Sequence, residues 1–320
     1  MLGVTSTALL AAYLWKTLPL LTGTGQTIAL SPLLSFAAAA WALAAVNFGL
    51  GRQSDVILLS ALRGDPSEVA IYDVAFTLTQ TVGTALTVGL TGVALALFTK
   101  RHRTRPEAVG TLWRSFVALV GAAVVPFVAL LVVHARSVVA AVYGPAYADA
   151  GPILRAYAIP MAVGWMLGGG ASSTVLHATF RIRTVLWIRV ATGVANVAAN
   201  VLLIRALGPL GALLGTGVAG ASAVIVEFTA VRRVLGERPD LRHVPGVALA
   251  AAAALVPSLL ARPEGLVELA AHAVLFAAIY LGVLRLVRPL PRLDDGLLAA
   301  LPSPIARWIG GLISTRAAPG

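Results

Sequence analysis

The chain has no cysteine and only two lysines, Lys16 and Lys100, in 320 residues. The first absence excludes disulfides, thiolate metal sites and a cysteine nucleophile, and says nothing about compartment. Charge of either sign is scarce: 12% of residues are charged against 58% hydrophobic, and mean hydropathy is +0.89. A soluble domain with one core cannot carry that excess, so the composition is that of a polytopic membrane protein. The apolar runs lack period-two alternation, which excludes a membrane barrel. No G-x-x-x-x-G-K-[ST] run and no H-E-x-x-H are present, and His177 and His272 have no second ligand at metal spacing, so neither P-loop hydrolysis nor a metal or other cofactor is expected. No cleavable signal stands at Met1, because the first apolar run carries Lys16 near its far end and no A-x-A-like site follows a polar region.

What is present is a succession of apolar runs of bilayer length, about 20 residues each, separated by short charged or Gly/Pro punctuation. About nine spans can be drawn. The first runs over residues 4–21. The second begins near Ser31 and is too long for one straight crossing, so a Gly-interrupted helix is expected, with Arg52 and Asp55 beyond Gly51. Asp65-Pro66 turns the chain into the third span, which ends at Lys100, Arg101, Arg103 and Arg105. The fourth covers 113–133 with Pro126 inside, and the fifth, 152–176, carries Pro160 and Gly168 to Gly170. Between them SVVAAVYGPAYADAG is too short to cross and suits the interface. Four more spans follow at about 184–204, 210–231, 244–260 and 266–287. An Arg- and Pro-punctuated tail closes the chain, and LLAALPSPIARWIGGLI within it suits the membrane surface.

The net charge of +11 would suggest nucleic acid in a soluble protein, but here the basic residues sit in short loops and read as a topology signal. Counted on alternate sides of the nine spans, one side receives sixteen Lys and Arg and the other Arg63, Arg136, Arg205 and Arg262. The richer side, which includes the tail, is expected to be cytoplasmic. Nine spans ending inside would put Met1 outside, which a chain shortened by an odd number of upstream helices would show.

Val142 to Pro160 resembles the "lyG-x-x-Y-x-x-A-x-x-x-L" segment of bacterial polysaccharide (oligosaccharide-lipid) flippases, through Tyr143, Gly144, Tyr147, Ala150 and Leu154. Asn196, Asn200, Ile204, Gly208, Gly211 and Ala212 resemble the same family's "N-x-x-x-N-x-x-x-I-P-x-x-G-x-x-G-A" run. Asp55 to Leu59 and then Val69 to Ala75 with Tyr72 resemble the opening of its second lobe. Ala70 stands where the family usually has Gly, and Arg205 where it has Pro. The resemblance implies an all-α polytopic helix bundle: a leading helix (1–28) ending an absent first lobe, a six-helix second lobe (29–235), two additional helices (236–290) and a tail (291–320). It also implies the substrate class, a saccharide linked to an undecaprenyl-type lipid, moved across the cell membrane by alternating access. Membrane lipids and a first lobe or partner subunit would be its other partners.

A flippase cleft needs cations for phosphate and polar groups for sugar, facing inward. Arg52 and Asp55, at i and i+3, share a helix face and are either a cleft pair or an interfacial ion pair. Lys16 either binds phosphate or snorkels, and Arg155 either lines the cleft or anchors the interface. Asp73, about two turns into the third span, is a candidate proton or cation site. Asn47 and Gln80 either line the cleft or bond between helices, and Asn196 and Asn200 read as packing glue. The longest outside segment, about 135–151, offers only Arg136 and Asp149, which argues against an enzyme. A multidrug/cation antiporter of the same superfamily and a non-transporting lobe or scaffold subunit are the rival readings.

Overall fold

The computed structural model describes residue 15 and residues 30–237, 241–260, 263 and 265–312. Lys16, the leading span and part of the tail, including Arg316, lie outside them. The chain divides into two units, Met1–Ala40 and Trp41–Gly320. The described part of the first is Trp15 and the start of helix α1 (Leu30–Gly49), which runs on into the second.

The described residues of the second unit are mostly helical, with no strand among them. After α1 come α2 (Arg52–Arg63), α3 (Pro66–Thr104), α4 (Val109–Val133), α5 (Ala135–Tyr143), α6 (Ala150–Met166) and α7 (Ala171–Ala178). Then follow α8 (Ile182–Leu207), α9 (Pro209–Leu235), α10 (His243–Leu260), α11 (Leu266–Val287), α12 (Asp295–Ala300) and α13 (Ser303–Gly310). Six stretches among the described residues are long and apolar enough to cross a bilayer: Leu34–Arg63, Pro106–Val133, Ile182–Leu207, Pro209–Leu235, His243–Leu260 and Leu266–Val287. Of the nine expected crossings, the others fall on the leading residues, on α3 and on the α6–α7 pair. At 39 residues α3 is about 58 Å long. Outward faces are apolar, with Trp187 and Leu286 both largely exposed on them, which suits hydrocarbon rather than water.

Local chemistry places the breaks. Gly51 separates α1 from α2, and a Cβ there would stand 2.5 Å from the Asn47 carbonyl oxygen, so only glycine permits the turn. Gly64 ends α2 at φ 69°, and Asp65 caps α3 by accepting from the Ser67 N–H at 2.8 Å, with Pro66 at the first helical position. The glycine run expected in the fifth span splits it into α6 and α7, with Gly168 and Gly169 at positive φ. At Gly168 a Cβ would meet the Val117 backbone at 3.0 Å, so the joint is pressed onto α4.

The centre of the bundle is α4, whose Trp113 and Phe116 are fully buried. Pro126 has no N–H for the Ala122 carbonyl, and the Tyr280 hydroxyl of α11 donates to that carbonyl at 2.7 Å, satisfying the group the proline orphaned. One core gathers around α4, α7, α10, α11 and the tail, where Leu297, Ile309 and Leu312 are buried. A second, around Leu59, Tyr72, Leu154, Tyr157 and Leu213, joins α2, α3, α6 and α9. The tail is tied down by Asp294, which receives Arg101 at 2.9 Å, caps α12, and donates its own N–H to the Ser115 hydroxyl.

Candidate functional site

The break at Gly51 starts a new helix, and that new start positions Asp55. The Ser54 hydroxyl donates to the Gly51 carbonyl at 2.7 Å and closes the first turn of α2. Asp55 lies in that turn, where the helix dipole favours a carboxylate, and its side chain is 0% exposed. Four neutral donors from three other helices converge on it. Tyr72 of α3 donates its hydroxyl at 2.7 Å, and Asn200 and Asn196 of α8 donate amide N–H groups at 2.7 and 3.3 Å. Thr216 of α9 completes the set with a hydroxyl contact. No cation is within ion-pair reach of Asp55 among the described residues. The amide oxygens of Asn196 and Asn200 are buried without partners, beside the carboxylate their nitrogens serve. Gly215 makes the approach possible: a Cβ there would overlap the Asn200 Oδ1.

Arg52 takes a different partner from the one its spacing suggested. It pairs with Asp73 of α3, its Nε donating at 2.9 Å, with both side chains about two-fifths exposed, and it lies over the Phe76 ring. Residues at i and i+3 point about 60° apart around the helix, enough for a different neighbour to claim each. Successive residues of α3 do this, since Tyr72 serves Asp55 and Asp73 serves Arg52. Phe76 stacks on both Tyr72 and Tyr157, and the Tyr157 hydroxyl accepts from Gln80 at 2.9 Å, so Gln80 bonds between helices.

A second charged pair lies on the far side of the asparagines. Arg189 of α8 meets Glu227 of α9 at 2.9 Å, with Glu227 0% exposed. Between this pair and the Asp55 cluster is a cavity of about 120 Å³ lined by Asn47, Gly51, Arg189, Thr192, Asn196 and Thr216, among others. It has room for a few waters and enough polar wall to hold them. Asn47, itself exposed, thus stands at the wall of this cavity. Arg155 does not: it donates to the Val132 carbonyl at 2.9 Å and lines a different, larger cavity at the far end of α4.

Asp55, Arg52, Asp73, Asn47 and Gln80 are candidates from the sequence alone, whereas Tyr72, Thr216, Arg189 and Glu227 emerge as site groups only in the structure. Asn196 and Asn200 bond between helices, as packing residues would, but onto a carboxylate. The available signal was that an ionisable residue inside an apolar span marks a site by default, which applies to Arg189 and Glu227 both.

The architecture is that of an all-α, multi-pass membrane bundle with a buried polar centre. Residues 3–152 match a family model described as polysaccharide biosynthesis protein. The match takes in Asp55, Arg52, Tyr72 and Asp73 and ends before Asn196 and Asn200. No curated protein and no solved structure matches the chain.

Proposed function

We propose that this chain translocates lipid-linked oligosaccharide or polysaccharide precursors, on an undecaprenyl-type carrier, across the cytoplasmic membrane by alternating access. The observation that carries the reading is the family match over residues 3–152, because it includes the helix break at Gly51 and the buried Asp55 behind it. The sixteen-to-four distribution of basic residues supports a cytoplasmic tail and a cytoplasmic Lys100–Arg105 cluster.

In this reading Asp55 is the coupling group. As a carboxylate it accepts four hydrogen bonds and fastens α2 to α3, α8 and α9. A proton on Asp55, or a small monovalent cation held by its carboxylate, the Thr216 hydroxyl and the turned amide oxygens of the two asparagines, cancels the charge that strengthens those bonds and so loosens them. The helix then has two states, and a bound ion biases one of them. Arg52 and Arg189, each held by a carboxylate, are the cations that a phosphate headgroup can draw away.

The antiporter reading is favoured by one observation: the most buried polar centre is a carboxylate, suited to a cation, rather than a free guanidinium. The deciding experiment is a leaflet assay in proteoliposomes with fluorescent lipid-linked oligosaccharide. Flipping faster than in empty vesicles, and lost in Asp55→Asn, is the expected result. No flipping while a cationic dye is exported would reject the flippase in favour of the antiporter, and neither activity would favour a scaffold.

A further inference from the structure

The larger cavity at the far end of α4 has no part in the Asp55 chemistry. Its volume is about 750 Å³, within the range of small-molecule sites, and it opens between α5, the start of α6 and the end of α10. Its polar wall consists of Arg136 and Ser137 on α5, Arg155 on α6, Ser258 on α10 and His134 at the α4–α5 junction.

Two features of this wall are unexplained by folding alone. Arg155 uses its Nε on the Val132 carbonyl, which fixes the guanidinium at the cavity edge while its terminal nitrogens have no carboxylate partner among the described residues. His134 is only 5% exposed, yet its Nε2 has no hydrogen-bond partner, an arrangement costly to maintain without a ligand. Burial, and then the neighbouring His272, hold its pKa below the ordinary imidazole value, so the ring is neutral at pH 7 and can donate a single N–H. Arg136 has a loose partner in the exposed Asp149 at 3.5 Å, a contact that a better acceptor displaces.

We infer that this cavity is an anion site for a phosphate or diphosphate group, held by the guanidinium groups of Arg136 and Arg155 with His134 and the serine hydroxyls as neutral donors. Two planar guanidinium forks suit the several oxygens of a phosphate better than a single carboxylate. The position, at the ends of membrane helices, suits a lipid phosphate; free phosphate shares the same chemistry. The inference is independent of translocation, since it concerns binding only.

The test uses the intact chain in phosphatidylcholine nanodiscs, titrated calorimetrically with inorganic pyrophosphate, and a second preparation doped with phosphatidic acid and analysed for retained lipid. Arg136→Gln and Arg155→Gln are each expected to weaken binding about tenfold or more, while Arg103→Gln, in the basic cluster at the opposite end, leaves it unchanged. Pyrophosphate binding assigns the site to the phosphate group itself. Phosphatidic acid retained without pyrophosphate binding assigns it to a lipid headgroup. A ligand-protection arm uses the unaltered protein: either ligand should slow phenylglyoxal modification of Arg136 and Arg155, read by mass spectrometry. Absence of binding by either ligand, binding indifferent to both substitutions, or unprotected arginines would overturn the inference.

Discussion

At the residue scale, Asp55 and Glu227 are two buried carboxylates with opposite solutions. Asp55 is held by hydrogen bonds alone, and Glu227 by an ion pair with a guanidinium. The difference predicts different responses to substitution. Asp55→Ala leaves four donors facing nothing and should cost about 1–3 kcal/mol for each one that stays dry. Asp55→Asn keeps the shape and most of the bonding, so it should unfold near the unaltered protein's temperature while losing ion-dependent transport. Thermal unfolding in detergent, beside the leaflet assay, separates the two. For the other pair, Arg189→Leu strands a buried carboxylate and should cost about 3–5 kcal/mol. The double variant Arg189→Leu/Glu227→Leu should recover much of that loss, and equal damage in single and double variants would refute a buried ion pair.

At the scale of elements, close helix approach decides what the polar groups can reach. Gly215 lets α9 come near enough to α8 for Asn200 to bond Asp55, and Gly215→Ala should push Asn200 aside. The expected loss is about 1–3 kcal/mol, measured as a lowered unfolding temperature, and an unchanged temperature would mean that Asn200 has slack. The tail is a separate element with its own anchor: Asp294→Ala removes both the Arg101 pair and the α12 cap, and trypsin should then cut at Arg292 well before the bundle unfolds. Much of this element layout was readable. The break at Gly51 followed from a run too long to cross straight, and the short helix after Val133 from one too short to cross. The meeting of Asn196 and Asn200 with Asp55 was not readable. A spacing of four says that two side chains share a face, but what faces them is a residue 141 and 145 positions away, brought there by tertiary packing. The Arg52–Asp55 pairing failed for the same reason, since Asp73 and Tyr72 reach them from another helix.

At the scale of the whole molecule, the charge distribution predicts an orientation that can be tested. The absence of cysteine makes this directly measurable, because any introduced thiol is the sole label site. Ala146→Cys, in the segment after α5, should react with an impermeant maleimide in intact spheroplasts, and Thr104→Cys, at the end of α3, only after permeabilisation. The reverse pattern would invert the bundle and place the 750 Å³ cavity on the cytoplasmic side.

The bridge between Arg101 and Asp294 joins positions 193 residues apart. During synthesis Arg101 leaves the ribosome long before its partner exists, so while the helices after it are being inserted it acts as a full uncompensated positive charge, when such charges direct insertion. Only when the segment carrying Asp294 emerges is that charge neutralised and turned into an anchor. With the Lys100–Arg105 cluster on the cytoplasmic side, as proposed, one side chain would serve first as a topology signal and later as a clasp. Arg101→Gln should disturb both stages, whereas Asp294→Asn should spare the first and loosen only the second.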